Sequence, residues 1–267
     1  MSSKGIALVT GAGEPCGIGR AIALRLADDG FDVAVNDISV SEDLQSLVKE
    51  IQQRGRASSI HAADVSQDAQ VKEMIEAVVQ KHGSLDVMVA NAGVAGPPGM
   101  VIADVTVEEW DRVMNFNARG TFLSYKYAGL QMVKQGRGGR IIGASSLTGK
   151  QGHNTQVPYS ASKFAVRGLT QSAAIRLAGI TVNAYAPGVI ETPMSTSTEQ
   201  HSRIYSKRTR PSKPSGKRSI FKPPRSKVNF KSRVPTDIAD FVSFIASKES
   251  KFITGQTISI NGGLFFD

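Results

Sequence analysis

The sequence predicts an α/β fold: a doubly wound parallel sheet of about seven strands, with all 267 residues in a single domain. Three observations carry this expectation. Short apolar runs such as Gly5-Ile-Ala-Leu-Val-Thr and Leu85-Asp-Val-Met-Val-Ala alternate with helical segments along the chain. Nearly continuous apolar strands are what a parallel sheet covered on both faces requires. Glycines at 11, 13, 17 and 19 follow the first strand and lead into an amphipathic run from Ile18. The composition agrees, because 40% hydrophobic with only 6% aromatic suits aliphatic helices packed on sheets.

The first strand, its glycine turn and the following helix read together as a phosphate-binding element. Glycine lets the backbone approach a pyrophosphate, and the helix N-terminus offers N–H groups at the positive end of its dipole. The second strand, Phe31-Asp-Val-Ala-Val-Asn-Asp, ends at Asp37. A carboxylate about 20 positions past the glycine turn accepts both ribose hydroxyls of an adenosine and repels a 2′-phosphate. Asp37 therefore argues for NAD, with NADP the less expected cofactor.

Ser41 to Gly55 reads as a helix with an acidic start, Arg56 to Asp64 as the third strand and Gln67 to His82 as the third helix. The fourth strand, Leu85 to Ala90, runs into Asn91-Ala-Gly-Val-Ala-Gly-Pro-Pro-Gly. Such a turn-rich loop belongs at the carboxyl edge, where open α/β sheets bind ligands. Thr106-Val-Glu-Glu begins a long helix towards Gln135 with a capping-box pattern. Within it, Asn117 lies among apolar neighbours with Gly120 on its face, and a buried amide there must find a water or backbone partner. Gly179-Ile-Thr-Val-Asn-Ala-Tyr-Ala-Pro-Gly reads as a strand and turn, Thr236 to Ser247 as a short helix, and Gln256-Thr-Ile-Ser-Ile-Asn-Gly-Gly as the last strand.

The stretch from Ser146 to Lys163 holds the candidate chemistry. Tyr159 and Lys163 are four apart, so on a helix they share one face, and Pro158 suits that helix's first turn. A free phenol, with pKa about 10, is a poor acid–base catalyst at neutral pH. A fixed cation nearby favours the phenolate, and Ser146, at the end of the run Arg140-Ile-Ile-Gly-Ala-Ser, can hold a substrate oxygen against it. A Tyr and Lys on an ordinary surface helix would carry the same spacing, so the surroundings decide.

Net charge is +9, but twelve Lys or Arg and no acidic residue fall between Arg203 and Arg233. The remaining chain carries 20 basic and 23 acidic residues and is weakly acidic. Cys16 is the single cysteine, which precludes an internal disulfide and points to a reducing compartment. No signal segment or membrane-spanning apolar run is visible, so a cytoplasmic location is expected, without a membrane partner and without a metal site.

With these residues in place the chain resembles the short-chain dehydrogenase/reductase family, which has a Rossmann-type fold. The matches are Thr10-Gly11 with Gly17-Ile18-Gly19, Asp64-Val65, Asn91-Ala92-Gly93, Asn117, Ser146, Tyr159-x-x-x-Lys163, Pro187-Gly188 with Thr192, and Ile253-Thr-Gly-Gln-Thr-Ile…Gly-Gly. They cover roughly 1–194 and 234–267, and the wording from Val89 to Leu130 and Ile141 to Pro193 is most similar to acetoin/diacetyl reductases. The resemblance implies that Tyr159 is general acid in ketone reduction and base in alcohol oxidation. Lys163 would lower its pKa and hold the nicotinamide ribose, Ser146 would position the substrate oxygen, and Asn117 would support a relay water. Gly11, Gly17, Ile18 and Gly19 would carry the pyrophosphate and Asp37 the adenosine ribose. Asp64, Val65, Asn91 and Gly93 would line the adenine and ribose side, and Pro187, Val189 and Thr192 would seat the nicotinamide. The implied substrate is a small carbonyl or alcohol, with a 3-oxoacyl thioester or a sugar alcohol as the alternative. A homotetramer or homodimer through Asn117–Gln135 and Tyr159–Ala178 is also implied.

Three departures qualify the resemblance. Five residues, not three, separate Gly11 from Gly17, with Pro15-Cys16 as the extra pair. The helix after Lys163 is about two residues short before Gly179. The substrate-lid position, 195–233, is basic, Ser/Pro-rich and nearly devoid of large apolar residues, a composition that favours disorder. It reads as a nucleic-acid- or anion-binding tract, as a lid for an acidic substrate, or, the preferred reading, as a segment keeping a lid's length without its character, as a shifted reading frame produces. The contrasting class for the whole chain is a cofactor- or nucleic-acid-binding protein with impaired turnover.

Overall fold

The computed structural model describes residues 2–97, 99–176, 179–195 and 234–266. The basic tract at 196–233, and the expectation of disorder attached to it, lies outside the described residues, as do 177–178, where the helix after Lys163 was expected to fall short.

Seven strands form one parallel sheet in the order β3-β2-β1-β4-β5-β6-β7. They are β1 (Ile6–Thr10), β2 (Asp32–Asp37), β3 (Ser58–Ala62), β4 (Val87–Ala90), β5 (Gly139–Ala144), β6 (Ile180–Pro187) and β7 (Thr257–Ile260). The helices are α1 (Ile18–Asp28), α2 (Glu42–Gln53), α3 (Asp68–His82), α4 (Val107–Met114), α5 (Gly120–Gln135), α6 (Val157–Arg176) and α7 (Pro235–Ala246). β1 pairs with both β2 and β4, with Val9 opposite Val35 on one side and Val89 on the other. The order of winding reverses there, and the carboxyl edge opens into a crevice, as the topology of open sheets demands.

Alternation along each strand feeds two cores. Val9, Val33, Val35, Val87 and Val89 pack against Ile22 and Leu26 of α1, Leu44, Leu47 and Ile51 of α2, and Ile238, Val242 and Ile245 of α7. Leu8, Ala34, Met88, Ile141 and Val182 pack against Val71, Ile75 and Val78 of α3 and Leu123, Ala128 and Met132 of α5. Each fully buried Leu, Ile or Val contributes about 1.5–3 kcal/mol, which is what holds the site-bearing loops at fixed distances.

Two expectations need correction. The third strand stops at Ala62, and Asp64 lies beyond it. The Asp64 carboxylate accepts from the Ser66 N–H at 2.9 Å, a local turn that takes the chain out of the ladder. The helix towards Gln135 is one rod with a wider π turn at Asn115–Arg119, where the Gly120 N–H reaches the Asn115 carbonyl. At its start only half of the expected capping box forms: Thr106 Oγ1 accepts from the Glu109 N–H at 3.2 Å, while the Glu109 carboxylate pairs with Arg112.

Candidate active site

One cavity of about 720 Å³ runs along the carboxyl edge of the sheet. It is lined by Gly11, Gly17, Ile18, Gly19, Asp37, Asp64, Val65, Asn91, Gly93, Ser146, Tyr159, Lys163, Pro187, Val189 and Thr192. Of the candidate residues only Asn117 is outside that lining; it is fully buried behind it.

The glycine turn is shaped by close approach. Gly11 has φ of 65°, and a Cβ there would lie 2.7 Å from the Ala92 Cα. A Cβ on Gly19 would lie 2.3 Å from the Gly11 carbonyl oxygen and 2.6 Å from Asn91 Nδ2. Gly17 caps α1 with no side-chain partner, and the first turn carries no acidic residue, so the positive helix end faces the cavity uncompensated. The extra Pro15-Cys16 pair forms the tip of an exposed turn closed by Gly17 N–H to the Glu14 carbonyl, 2.9 Å. Proline is favoured at that corner. The inserted residues therefore sit on the exposed side of the turn, while Gly11, Gly17 and Gly19 still line the cavity.

Asn91 locks the cradle to the rest of the sheet. Its Nδ2 donates to the carbonyls of Thr10 and Gly11, at 2.9 and 3.0 Å, and its Oδ1 accepts from the Tyr185 hydroxyl at 2.8 Å. The hydroxyl of Thr10 accepts from the N–H groups of Asn91 and Ala92, both at 3.1 Å. At the far end, Asp37 accepts from the N–H groups of Gly13 and Ile38, each at 2.8 Å, which fixes its carboxylate at the cavity wall. Glu14 and Asp64 line the same cavity, and Lys163 is the only Lys or Arg among its described lining residues.

Ser146, Tyr159 and Lys163 come together at the middle. Ser146 lies two residues beyond the end of β5 and caps a short turn of 3-10 helix, Leu147–Gly149. Its hydroxyl hydrogen-bonds Tyr159. Lys163, one turn further along α6, is buried and donates to the Ala144 carbonyl at 2.9 Å, with its Nζ 5.4 Å from the centre of the Tyr159 ring. Ser145 Oγ donates to the Lys163 carbonyl at 3.0 Å, tying α6 to the strand. A Cβ on Gly93 would come within 3.3 Å of Nζ, so the Asn91–Gly93 loop also reaches the ammonium. Burial pushes the Tyr159 phenol above its ordinary 10, opposed by the Ser146 hydrogen bond, and pushes Lys163 down to about 8. In the protein alone, burial thus outweighs the downward pull expected from the cation, because Nζ is directed at a carbonyl and not at the phenol oxygen. Tyr159 consequently holds its proton at neutral pH, the state a proton donor needs.

Asn117 sits in the π turn, whose extra residue swings its side chain towards the β4 loop. Its Oδ1 accepts from the Val94 N–H at 2.8 Å, and its Nδ2 donates to the Val94 carbonyl at 2.9 Å and to Ser162 Oγ at 3.0 Å. Ser162 passes its own proton to the Tyr159 carbonyl at 2.7 Å. The buried amide has thus found backbone partners, and it couples the ligand loop to the helix that carries Tyr159 and Lys163. At the other wall, Gly188 N–H donates to the Ile260 carbonyl at 3.0 Å, and Thr192 and Ser195 close a turn on each other. This fixes the Pro187–Thr192 segment opposite Tyr159.

Sequence reasoning missed Thr148, Ser162 and Tyr185, and it marked Thr10 only as part of the glycine-turn match, without a role. Thr148 and Ser162 are hydroxyls that act on neighbours, and nothing in their spacing marks them. Tyr185 carried one signal: a lone phenol in a fully buried strand needs a partner for its hydroxyl.

A family model described as enoyl-(acyl carrier protein) reductase matches residues 11–265. A short-chain dehydrogenase/reductase of Armillaria gallica is 49% identical over 272 residues, covering 100% of this chain and 98% of that protein. A 3-oxoacyl-(acyl-carrier-protein) reductase, FabG, of Staphylococcus epidermidis is 40% identical over 261 residues, covering 97% of this chain and 98% of that protein. Among solved structures, levodione reductase aligns with a TM-score of 0.84 at 28% identity, covering 98% of both chains. A putative short-chain alcohol dehydrogenase from Sinorhizobium meliloti aligns at 0.79 and 33%, over 98% of this chain and 96% of the other. Glycine cradle, Asn91 lock and Ser146–Tyr159–Lys163 cluster thus stand on a chain that belongs to the short-chain dehydrogenase/reductase family of oxidoreductases.

Proposed function

We propose that the protein is an NAD-preferring reductase that interconverts a small oxygenated ketone, of the diacetyl or acetoin kind, with its secondary alcohol. The observation that carries the chemistry is the Ser146–Tyr159–Lys163 cluster, with Lys163 buried, in the cavity that the Pro187–Thr192 segment also lines. The dinucleotide, when bound, supplies the hydride. Ser146 and Tyr159 hold the carbonyl oxygen, Tyr159 delivers the proton to it, and the Lys163 cation stabilises the phenolate left behind. In the oxidation direction the same phenolate takes the alcohol proton.

The preference for NAD rests on charge. Asp37 and Glu14 line the cavity where the adenosine ribose would lie, with no Lys or Arg beside them among the described lining residues to receive a 2′-phosphate. Replacing Asp37 by Ser together with Ile38→Arg is expected to reverse the ratio of kcat/KM for NADH over NADPH by at least about tenfold. An unchanged ratio removes Asp37 from the discrimination. The small oxygenated substrate rests on His153, Thr155 and Gln156, polar residues of the same cavity. The Thr155 hydroxyl lies 3.2 Å from His153 Nδ1 and holds the ring, leaving its other edge for a second substrate oxygen.

A second reading, reduction of a 3-oxoacyl thioester, is favoured by the relatives named FabG. Steady-state NADH consumption separates the two. The first reading expects kcat/KM for diacetyl or acetoin to exceed that for acetoacetyl-coenzyme A, and the reverse order selects the second. We also propose that α5 and α6 bury Phe122, Leu130, Val133 and Phe164, all exposed in the single chain, against a second copy.

A further inference from the structure

We infer that Thr148 is a positioning residue that fixes Ser146 as a hydrogen-bond donor and so leaves Tyr159 as the one hydroxyl able to take or give the transferred proton. The inference rests on the ketone-reductase reading above. It starts from the capacity of a hydroxyl, which has one proton and two acceptor lone pairs. Ser146 Oγ receives the Thr148 N–H at 3.2 Å and the Thr148 Oγ1–H at 3.1 Å. Both come from the short helical turn that Ser146 itself caps, so the chain brings the two donors back onto one oxygen. With both lone pairs taken, Ser146 retains only its proton for the cavity. That agrees with its bond to Tyr159, in which Ser146 acts to favour the phenolate.

The chemical consequence is an assignment of direction. In reduction, Ser146 donates a hydrogen bond to the carbonyl oxygen and keeps its proton, while the Tyr159 O–H bond breaks and a new O–H bond forms on the substrate. In oxidation, Ser146 has no lone pair to offer the alcohol, whose proton passes to the Tyr159 oxygen. The Thr148 hydroxyl also polarises the Ser146 O–H and strengthens it as a donor. Lys163, His153 and Tyr185 are the titratable side chains among the described residues that share this part of the cavity with Tyr159.

The test compares Thr148→Val, which keeps the shape and loses the O–H, with Thr148→Ser, which restores it, in the full-length protein. With NADH and diacetyl, Thr148→Val is expected to lower kcat about tenfold while the ketone KM moves less than about twofold. In the oxidation direction the acid limb of the kcat–pH profile is expected to move up by about half a pH unit. Thr148→Ser should return both to wild-type values. Ultraviolet difference titration of the Tyr159 phenol, read against Tyr159→Phe, should show the same upward shift in Thr148→Val without any turnover. An unshifted phenol, an effect on KM alone, or a loss that tracks melting temperature and is not rescued by Ser overturns the inference. A wild-type protein without turnover but with the phenol shift present would sink the ketone-reductase reading and leave the Thr148 assignment standing.

Discussion

At the scale of single residues, the site depends on atoms that are missing as much as on those present. Gly19 has no room for a Cβ, because backbone and an amide occupy that space, and neither can move without opening β1 or β4. Gly19→Ala is therefore expected to weaken NADH binding at least about tenfold by calorimetry while the melting temperature falls by a few degrees, about the effect of 1 kcal/mol. The glycine pattern, Asp37, Ser146, Tyr159 and Lys163 were legible because each is a residue type that its chemistry demands at a fixed distance along the chain. Thr148 and Ser162 were not legible, since a hydroxyl that serves a neighbour needs no particular spacing. The direction of the Tyr159 pKa was also hidden, because it depends on burial and on where the Lys163 ammonium points.

At the scale of elements, the π turn at Asn115–Arg119 is the joint on which the site hangs. A regular helix would turn Asn117 away from the β4 loop; the extra residue aims it at both backbone groups of Val94. Asn117→Ala strips partners from the part-buried N–H and carbonyl of Val94 and from buried Ser162, and is expected to cost about 1–3 kcal/mol in urea unfolding. An Asn117→Ala protein as stable as wild type would show that water replaces the amide. Periodicity placed the whole helix from Thr106 onwards, but it averages over turns and cannot reveal one wider turn. For the same reason it carried β3 on to Asp64, where the Ser66 hydrogen bond had already turned the chain.

The third strand and third helix also carry an acid-sensitive pair. Ser59 Oγ lies between His61 Nε2 and His82 Nε2, at 2.8 and 2.7 Å. Burial, then the neighbouring His82 and Lys81, lowers His61 from the ordinary 6.5 to about 4, and burial lowers His82 as well. Both rings are neutral in the folded protein at pH 7. Below about 6.5 the unfolded chain takes up protons that the folded chain refuses, so stability falls as pH drops from 6.5 towards 4. His61→Gln is expected to flatten that part of the stability–pH curve, measured by urea unfolding; a curve that keeps its slope would locate the acid sensitivity elsewhere.

At the scale of the whole molecule, the sheet order gathers the cavity-lining loops at one edge, on either side of the β1–β4 reversal. The alternation of apolar runs and helices made this architecture readable, because a parallel sheet has few ways to connect its strands. Assembly is a property of surfaces, and here the exposed Phe122, Leu130, Val133 and Phe164 make the expectation concrete. Sedimentation should show a dimer or tetramer, with Leu130→Glu plus Val133→Glu shifting it to the single chain; a wild-type monomer would remove the proposed interface. In the proposed function a cofactor-competent cradle presents a substrate to the Tyr159 proton. It is tested most directly by measuring NADH binding and NADH oxidation by diacetyl on the wild type and on Tyr159→Phe. Both proteins are expected to bind NADH with similar affinity, and the variant is expected to lose turnover by about a thousandfold or more. Failure of the wild type to bind NADH, or turnover retained by Tyr159→Phe, would contradict it.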